Sequence, residues 1–264
     1  MPVRQFTPSR TAVILALRTA GCVFAEEEAD LILAAASTPA DLSAMVDQRV
    51  AGRPLEHILG WAEFFGVRIL VDDGVFVPRR RTELIVQEAL ALAIDPAVIV
   101  DLCCGSGAVG TALATALDDV DLYASDIDPA AVACARLNLE PLGGHVFAGD
   151  LYAPLPGILA GRVNILAVNA PYVPTDAIAM MPPEARFHEP IVALDGGEDG
   201  LDVQRRVARD AGRWLTGGGH LLIETSLLQA PRTAALLTDS GLQCRVVHSD
   251  ELDATVVVGT RPAR

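Results

Sequence analysis

The stretch that decides the fold is VIVDLCCGSGAVGTALATAL, residues 98–117. An apolar run ends at Asp101, a turn of small residues follows, and helical periodicity begins near Ala108. Gly105 and Gly107 let the backbone of this turn approach a ligand where larger side chains would collide. The helix that follows presents free N–H groups to the same ligand. The stretch therefore predicts a strand–turn–helix unit with a ligand site at the turn.

Strand and helix signals alternate on both sides of this unit. Residues 82–94, TELIVQEALALAI, have helical periodicity. Strand-like runs, most of them separated by helical stretches, occur at residues 98–102, 121–125, 146–148, 163–168, 220–224, 244–248 and 255–259. The alternation predicts an α/β fold built on an open, Rossmann-like sheet of seven strands. We assign this main domain to residues 81–264.

The first 60 residues are predicted to form a small helical bundle. Thr7-Pro8-Ser9 is a helix start signal, Glu26–Glu28 suit the first turn of a second helix, and Pro39 opens a third. This bundle, residues 1–60, is separate in character from the alternating region.

Between bundle and main domain, residues 61–80 are rich in β-branched and aromatic residues. They predict a β-hairpin linker, and Asp73-Gly74 is the turn signal between its two strands.

Three acidic positions follow predicted strands and indicate a nucleoside-like cofactor. Asp101 ends the first strand, and Asp126, about twenty residues after the turn, is placed to bind ribose hydroxyls. Asp150 suits an adenine amino group, and Leu151 suits packing on the adenine ring. A nicotinamide dinucleotide stays open as the alternative, because residues 105–110, GSGAVG, have the GxGxxG spacing, although Cys103 occupies the glycine position that precedes them.

Composition narrows the classes of partner. The formal net charge of -14 disfavours general binding to nucleic acid. The cysteines are five in number with no CxxC spacing, which argues against a zinc site and a disulfide framework. No signal peptide and no membrane-length apolar stretch is recognised, so we expect a cytoplasmic protein.

The run at residues 163–168 leads directly into Asn169-Ala170-Pro171-Tyr172. Here the chain resembles the protein-(glutamine-N(5)) methyltransferases, the HemK/PrmC family that modifies peptide-chain release factors and carries Asn-Pro-Pro-Tyr at this place. The resemblance covers nearly the whole chain. It is carried, in the family's order, by GRPLEHILGWAEFFG, VFVPRRRTELIVQEAL, DLCCGSGAVG, NAPYVP and EPIVALDGGEDGLD.

The resemblance implies a methyltransferase sheet with an antiparallel last strand, S-adenosyl-L-methionine as cofactor, and a protein glutamine, in a release factor, as acceptor. It implies cofactor contacts at Cys103, Cys104, Gly105, Ser106, Gly107, Asp126, Leu151 and Asn169. Substrate contacts are implied at Asn169, Ala170, Pro171 and Tyr172, and more weakly at Arg79 and Glu83.

The loop suits the chemistry of an amide acceptor, whose nitrogen lone pair is delocalised into the carbonyl. The Asn169 side-chain oxygen and the Ala170 carbonyl are candidates to accept the two amide N–H bonds and to orient the nitrogen. The Tyr172 ring would line the path of the methyl group and pack on the planar amide.

Three departures from the family pattern bear on this expectation. Ala170 replaces a proline, which keeps the carbonyl and loosens the loop. Cys103 replaces a glycine, which requires ordinary backbone angles at Cys103. Arg80 and Arg81 replace a proline and an acid, which reverses the charge where a protein substrate is expected to dock.

Two other functions stay open on the residues alone. One is methyl transfer to a small molecule or to a nucleic-acid base. The net charge of -14 argues against the nucleic-acid base and does not bear on the small molecule. The other is a non-catalytic module that binds S-adenosylmethionine, which the intact Asn169 and Tyr172 disfavour.

Overall fold

The computed structural model of the protein describes residues 9–263. The α-helices within these residues are α1 (Arg10–Thr19), α2 (Ala25–Ala35), α3 (Pro39–Val50), α4 (Leu55–Leu59), α5 (Glu83–Leu92), α6 (Ala108–Ala116), α7 (Pro129–Leu139), α8 (Pro183–His188), α9 (Asp202–Trp214) and α10 (Ala230–Asp239). The strands are β1 (Trp61–Phe64), β2 (Val67–Leu70), β3 (Ala97–Leu102), β4 (Val120–Asp126), β5 (His145–Ala148), β6 (Val163–Val168), β7 (Leu215–Thr225), β8 (Gln243–Ser249) and β9 (Ala254–Thr260).

Helices α1 to α4 pack around an apolar core of their own. Val13, Leu17 and Ile32 are fully buried in it. The Ser9 hydroxyl accepts from the Ala12 N–H, and the Thr38 hydroxyl caps α3 in the same way, because polar side chains satisfy the free N–H groups of a first turn. Of the predicted start signal, Thr7 and Pro8 lie outside the described residues.

The hairpin forms, but its predicted turn is wrong. Phe64 pairs with Val67, so the turn residues are Phe65 (φ 51°) and Gly66 (φ 72°), both left-handed as a two-residue hairpin turn requires. Asp73 and Gly74 follow β2 instead. A phenylalanine at the first turn position carries no sequence signal. It is held there by a contact distant in sequence, since the Phe65 N–H donates to the Glu83 carboxylate at 3.1 Å.

The main sheet has seven strands in the order β5-β4-β3-β6-β7-β9-β8. The strands β5, β4, β3, β6 and β7 run parallel, and β9 is antiparallel to β7 and to β8. The predicted seven-stranded α/β sheet and the antiparallel last strand are confirmed. Apolar side chains cover both faces: Ile99 and Leu222 lie in one core, and Val100 and Leu221 in the other.

The sheet order creates a crevice at the carboxyl end of β3. From β3 the chain adds β4 and β5 on one side and then returns to add β6 on the other. In open α/β sheets ligands bind where the strand order reverses in this way. Among the described residues, no helix has the length and apolar character that a membrane span requires.

Candidate active site

A cavity of about 500 Å³ opens at the carboxyl ends of β3, β4 and β6. That volume lies in the range of small-molecule and cofactor sites. Its lining includes every residue predicted to contact the cofactor or the substrate except Gly107 and Glu83; those present are Arg79, Asp101, Cys103, Cys104, Gly105, Ser106, Asp126, Asp150, Leu151, Asn169, Ala170, Pro171 and Tyr172. The sheet thus brings together residues that are up to 93 positions apart in the chain, from Arg79 to Tyr172.

The glycine turn has the backbone conformation that its composition indicates. Gly105 (φ 55°) and Gly107 (φ 78°) are left-handed, and α6 begins directly after Gly107. Cys103 is also left-handed (φ 55°), so the condition of ordinary backbone angles at this substitution is not met. A non-glycine residue in this conformation costs on the order of 1–2 kcal/mol. The backbone at Cys103 therefore has the left-handed conformation that a glycine adopts readily, and the cysteine is strained there.

Both thiols of the turn are held protonated. Burial raises the pKa of Cys103 and of Cys104, and the neighbouring carboxylates Asp101 and Asp126 raise it further. A thiol with a raised pKa is a poor nucleophile and a poor metal ligand. The side chains of the two cysteines therefore serve as small apolar surface in the cavity.

Asp101 lies at the floor of the cavity and is 2% exposed. Its carboxyl group accepts a hydrogen bond from the Gly110 N–H at 3.0 Å, which joins the end of β3 to α6. Burial raises its pKa to about 7, and the nearby Asp126 adds to the shift. The group is thus poised between its neutral and charged forms near neutral pH.

Asp126 is held in place by the backbone on both sides. Its Oδ2 accepts from the Gly105 N–H and its Oδ1 from the Asp128 N–H, each at 2.9 Å. Burial raises its pKa, and these two hydrogen bonds counteract the shift. Since a carboxylate oxygen has two acceptor positions, each oxygen keeps capacity for a further donor such as a ribose hydroxyl.

At the next strand end, Asp150 is paired with a residue that the sequence did not indicate. Arg206 of α9 donates to Asp150 Oδ2 at 2.5 Å, and both side chains line the cavity. Leu151 beside them is 8% exposed and left-handed (φ 49°). The partners of this pair are 56 residues apart, and no local pattern distinguishes Arg206 from the other arginines of α9.

These residues fit S-adenosylmethionine. Gly105 leaves space for a ligand in the cavity. A Cβ at this position would meet no protein atom within 4 Å, so the space that a side chain would take is open. Asp126 would hold the ribose, Leu151 the adenine ring, and Asp101 would face the positively charged part of the molecule. The lining also carries apolar walls from Phe64, Phe76 and Val109. The site therefore combines an apolar nucleoside slot with carboxylates suited to hydroxyl groups and cations.

The loop after β6 presents two oxygen acceptors. The Asn169 side-chain nitrogen donates to Thr82 Oγ1 at 3.3 Å, which orients the amide and turns its oxygen the other way. Within residues 9–263, no protein hydrogen bond uses Asn169 Oδ1 or the Ala170 carbonyl oxygen. Both residues line the cavity. Thr82, which follows the arginine run, was not predicted, and a threonine at a helix start gave no signal of this role.

Tyr172 is fixed through its hydroxyl, which donates to Glu224 Oε1 at 3.1 Å. Burial and the Glu224 carboxylate raise the pKa of the phenol, so it stays protonated. Arg81 Nε donates to the same carboxylate oxygen at 3.1 Å. Glu224 was not predicted, because a single acid inside an apolar strand has no recognisable spacing.

Arg79 and Glu83, for which a substrate contact was more weakly implied, lie in different surroundings in the structure. Arg79 lines the cavity and donates to the buried carboxylate of Glu189 at 2.5 Å. Burial raises the pKa of Glu189, and Arg79 counteracts that rise. Glu83 is outside the lining and holds the hairpin turn through Phe65.

Comparison with known proteins agrees with this geometry. Residues 67–189 match the family model of the methyltransferase small domain. The chain is 36% identical over 228 residues to the release factor glutamine methyltransferase of Geobacter sulfurreducens, covering 84% of this chain and 79% of that one. It is 37% identical over 225 residues to the protein of the same name from Mycolicibacterium smegmatis, covering 83% and 79%.

Among solved structures, a methyltransferase from Pyrococcus furiosus superimposes with a TM-score of 0.57 at 13% identity, covering 83% of this chain and 99% of that one. At that identity the similarity concerns the fold, which is the same α/β sheet. The chain therefore belongs to the family of release factor glutamine methyltransferases.

Proposed function

We propose that the protein transfers a methyl group from S-adenosylmethionine to the side-chain amide nitrogen of a protein glutamine, and that a peptide-chain release factor carries this glutamine. The observation that carries the proposal is the pair of uncommitted oxygen acceptors, Asn169 Oδ1 and the Ala170 carbonyl, beside a nucleoside-sized cavity. The relatives' names supply the acceptor class. We place the reaction in the cytoplasm.

The cofactor would be held by the turn from Cys103 to Gly107 together with Asp101, Asp126, Asp150 and Leu151. When bound, S-adenosylmethionine supplies an electrophilic methyl group on a sulfonium sulfur. The carboxylates Asp101 and Asp126 favour a cationic ligand over its neutral product. Arg206 holds Asp150 in place at the adenine end of the slot.

The chain's residues would activate the acceptor by orientation. Asn169 Oδ1 and the Ala170 carbonyl accept the two N–H bonds of the glutamine amide, which draws electron density toward nitrogen and aims its lone pair at the methyl carbon. Holding the reacting atoms about 3–3.5 Å apart and in line replaces a slow encounter in solution by a prearranged one. With the amide held in this way, S-adenosylmethionine would supply the methyl group and leave as the neutral thioether, and one amide proton would be released to solvent.

The Ala170 substitution is compatible with this mechanism. The acceptor at this position is a backbone carbonyl, which alanine and proline both provide. Ala170 is 1% exposed, so packing restrains the loop where the proline ring is absent. Pro171 follows and limits the backbone further.

The experiment that tests the proposal is a transfer assay with methyl-labelled S-adenosylmethionine, purified release factors and, separately, whole-cell protein. Mass spectrometry locates the modified residue. We expect label on a release-factor glutamine and a fall of about 100-fold or more in turnover for Asn169→Ala, since an orienting acceptor is lost.

The matched control for that variant is Asn164→Ala, which removes the other asparagine of the β6 region, whose Oδ1 accepts from Val98 N away from the cavity. Label confined to another protein would replace the substrate and keep the chemistry. Cofactor binding without transfer to any protein would contradict the proposed activity and favour a small-molecule acceptor or a binding module.

A further inference from the structure

Glu224 occupies the position in the sheet that adjoins the loop after β6, residues 169–172. In the parallel pairing of β6 with β7, Val168 lies opposite Ile223, so the next residues along the two strands are Asn169 and Glu224. Glu224 is 1% exposed. A carboxylate at this depth requires partners, because an unpaired buried charge is strongly unfavourable.

Two side chains converge on one oxygen of this carboxylate. The Tyr172 hydroxyl and Arg81 Nε each lie 3.1 Å from Glu224 Oε1. The Arg81 guanidinium also lies 5.8 Å from the centre of the Tyr172 ring. The arginine therefore balances the carboxylate, and the carboxylate holds the phenol through Oε1, while the buried Oε2 has no hydrogen-bond partner within residues 9–263.

Arg81 is one of the positions where the chain departs from the family pattern, which carries an acid. An acid at residue 81 would face the Glu224 carboxylate, and like charges repel in a poorly solvated place. Here Arg81 provides the opposite charge. The change from an acid to an arginine at residue 81 is therefore matched by the buried carboxylate of Glu224.

Tyr172 is also held at its backbone by the segment that follows Glu224. The Gln229 side-chain nitrogen donates to the Tyr172 carbonyl at 3.0 Å, and Ser226 Oγ fixes the Gln229 amide at 2.7 Å. Residues 224–229 thus hold the tyrosine at its hydroxyl and at its carbonyl, through two contacts that do not depend on each other.

We propose that Glu224, balanced by Arg81, is a positioning residue for Tyr172 and thereby for the acceptor amide. The inference rests on the proposed function, in which Tyr172 packs on the planar amide. Glu224 and Gln229 are outside the cavity lining. Loss of the Glu224 contact therefore lowers turnover and leaves cofactor affinity unchanged.

The kinetic test compares Glu224→Leu, Tyr172→Phe and the double variant. Each single change is expected to lower kcat about 10–100-fold, because small misplacements of reacting groups have effects of this size. The dissociation constant of S-adenosylmethionine should stay within about twofold of wild type. The double variant should lose no more than Glu224→Leu alone, since that change already removes the Tyr172 contact together with the Arg81 contact. Glu224→Gln keeps an acceptor oxygen and should recover part of the loss.

The matched control is a pair on β4 outside the cavity lining, where the Tyr123 hydroxyl donates to Asp121 Oδ2 at 2.9 Å. Tyr123→Phe removes the same kind of bond and should leave kcat unchanged. Multiplying losses in the double variant, or an equal loss of cofactor affinity, would overturn the inference in favour of a merely structural role for Glu224.

A second measurement does not depend on turnover. The chain has three tyrosines, so ¹³Cζ-tyrosine labelling gives three NMR signals, and Tyr172→Phe assigns one of them. Glu224→Gln should shift the Tyr172 signal and leave those of Tyr123 and Tyr152 in place. An unmoved Tyr172 signal overturns the inference. If wild-type protein methylates no acceptor, the proposed function fails, and this NMR signal alone decides whether Glu224 holds Tyr172.

Discussion

At the scale of single residues, the site depends on carboxyl groups whose environments differ. Asp101 is buried against β3 and α6, Asp126 is held by two backbone N–H groups, and Asp150 is paired with an arginine. The first has its pKa raised to about 7 by burial. Burial thus raises the pKa of Asp101 and of Asp126, whereas Asp150 is fixed by its ion pair with Arg206.

Asp101 predicts a pH dependence of stability with a defined sign. Its folded pKa of about 7 is above the unfolded value of 3.8, so the folded state retains the proton longer. This contribution to stability is complete below pH 4 and is lost as the pH rises through 7. Relative to Asp101→Asn, whose amide oxygen still accepts from Gly110, wild-type protein should lose on the order of 3–4 kcal/mol in the free energy of unfolding over this interval.

Urea denaturation from pH 4 to pH 8 measures the difference, with Asp121→Asn on the exposed part of β4 as the control. A constant difference between wild type and Asp101→Asn across that range would show that the carboxyl group titrates normally.

At the scale of elements, the hairpin and the start of α5 are one unit. Phe65 and Gly66 form the turn, and Glu83 at the first position of α5 accepts from the Phe65 N–H. The arginine run that precedes Glu83 carries Arg79 into the cavity lining. One short segment therefore shapes the linker on one side and the cavity wall on the other.

Glu83 is accordingly expected to affect stability and not ligand binding. Glu83→Ala leaves the Phe65 N–H without its acceptor and should lower the free energy of unfolding by about 1–3 kcal/mol. Glu83→Gln keeps an acceptor and should lower it by less. Both variants should bind S-adenosylmethionine as wild type does, measured by calorimetric titration. A weaker affinity of Glu83→Gln for S-adenosylmethionine would instead indicate that Glu83 contributes to ligand binding.

At the scale of the whole molecule, one buried arginine joins the helical bundle to the region around the cavity. Arg49 of α3 is 8% exposed and bonds Glu28 of α2 at 2.6 Å and Glu184 of α8 at 2.5 Å. Helix α8 belongs to the segment between the loop after β6 and α9, from which Met181 and Ile191 line the cavity. Two ion pairs of Arg49 therefore join the bundle to this segment of the cavity wall.

Removing Arg49 should loosen that connection. Arg49→Ala leaves the nearly buried Glu28 carboxylate unpaired, and we expect a loss of about 3–5 kcal/mol in the free energy of unfolding. Hydrogen–deuterium exchange should rise in residues 175–193 and in α2. The control is Arg18→Ala, which breaks an exposed pair with Glu26 and should change stability by about 1 kcal/mol or less. Unchanged exchange in residues 175–193 would show that α8 is held by other contacts.

The sequence alone determined the periodic part of this protein. Strand and helix periods, the glycine turn and the acids at strand ends are local patterns, and they predicted the seven-stranded sheet and the cavity residues Asp101, Asp126 and Asp150. This works because the carboxyl ends of parallel strands meet at one edge, so residues predicted on separate strands converge without further information. The contacts at Cys103, Cys104, Ser106 and residues 169–172 were implied by the resemblance to a known family.

Only the tertiary structure decided how those residues are held. The contacts of Tyr172 with Glu224, of Asp150 with Arg206 and of Phe65 with Glu83 join residues 52, 56 and 18 positions apart. Charge pairing and backbone satisfaction at such distances depend on packing, because a single acid or arginine has the same local signature on the surface as in a site. The left-handed Cys103 is of the same kind, since surrounding contacts fix a backbone angle that its side chain disfavours.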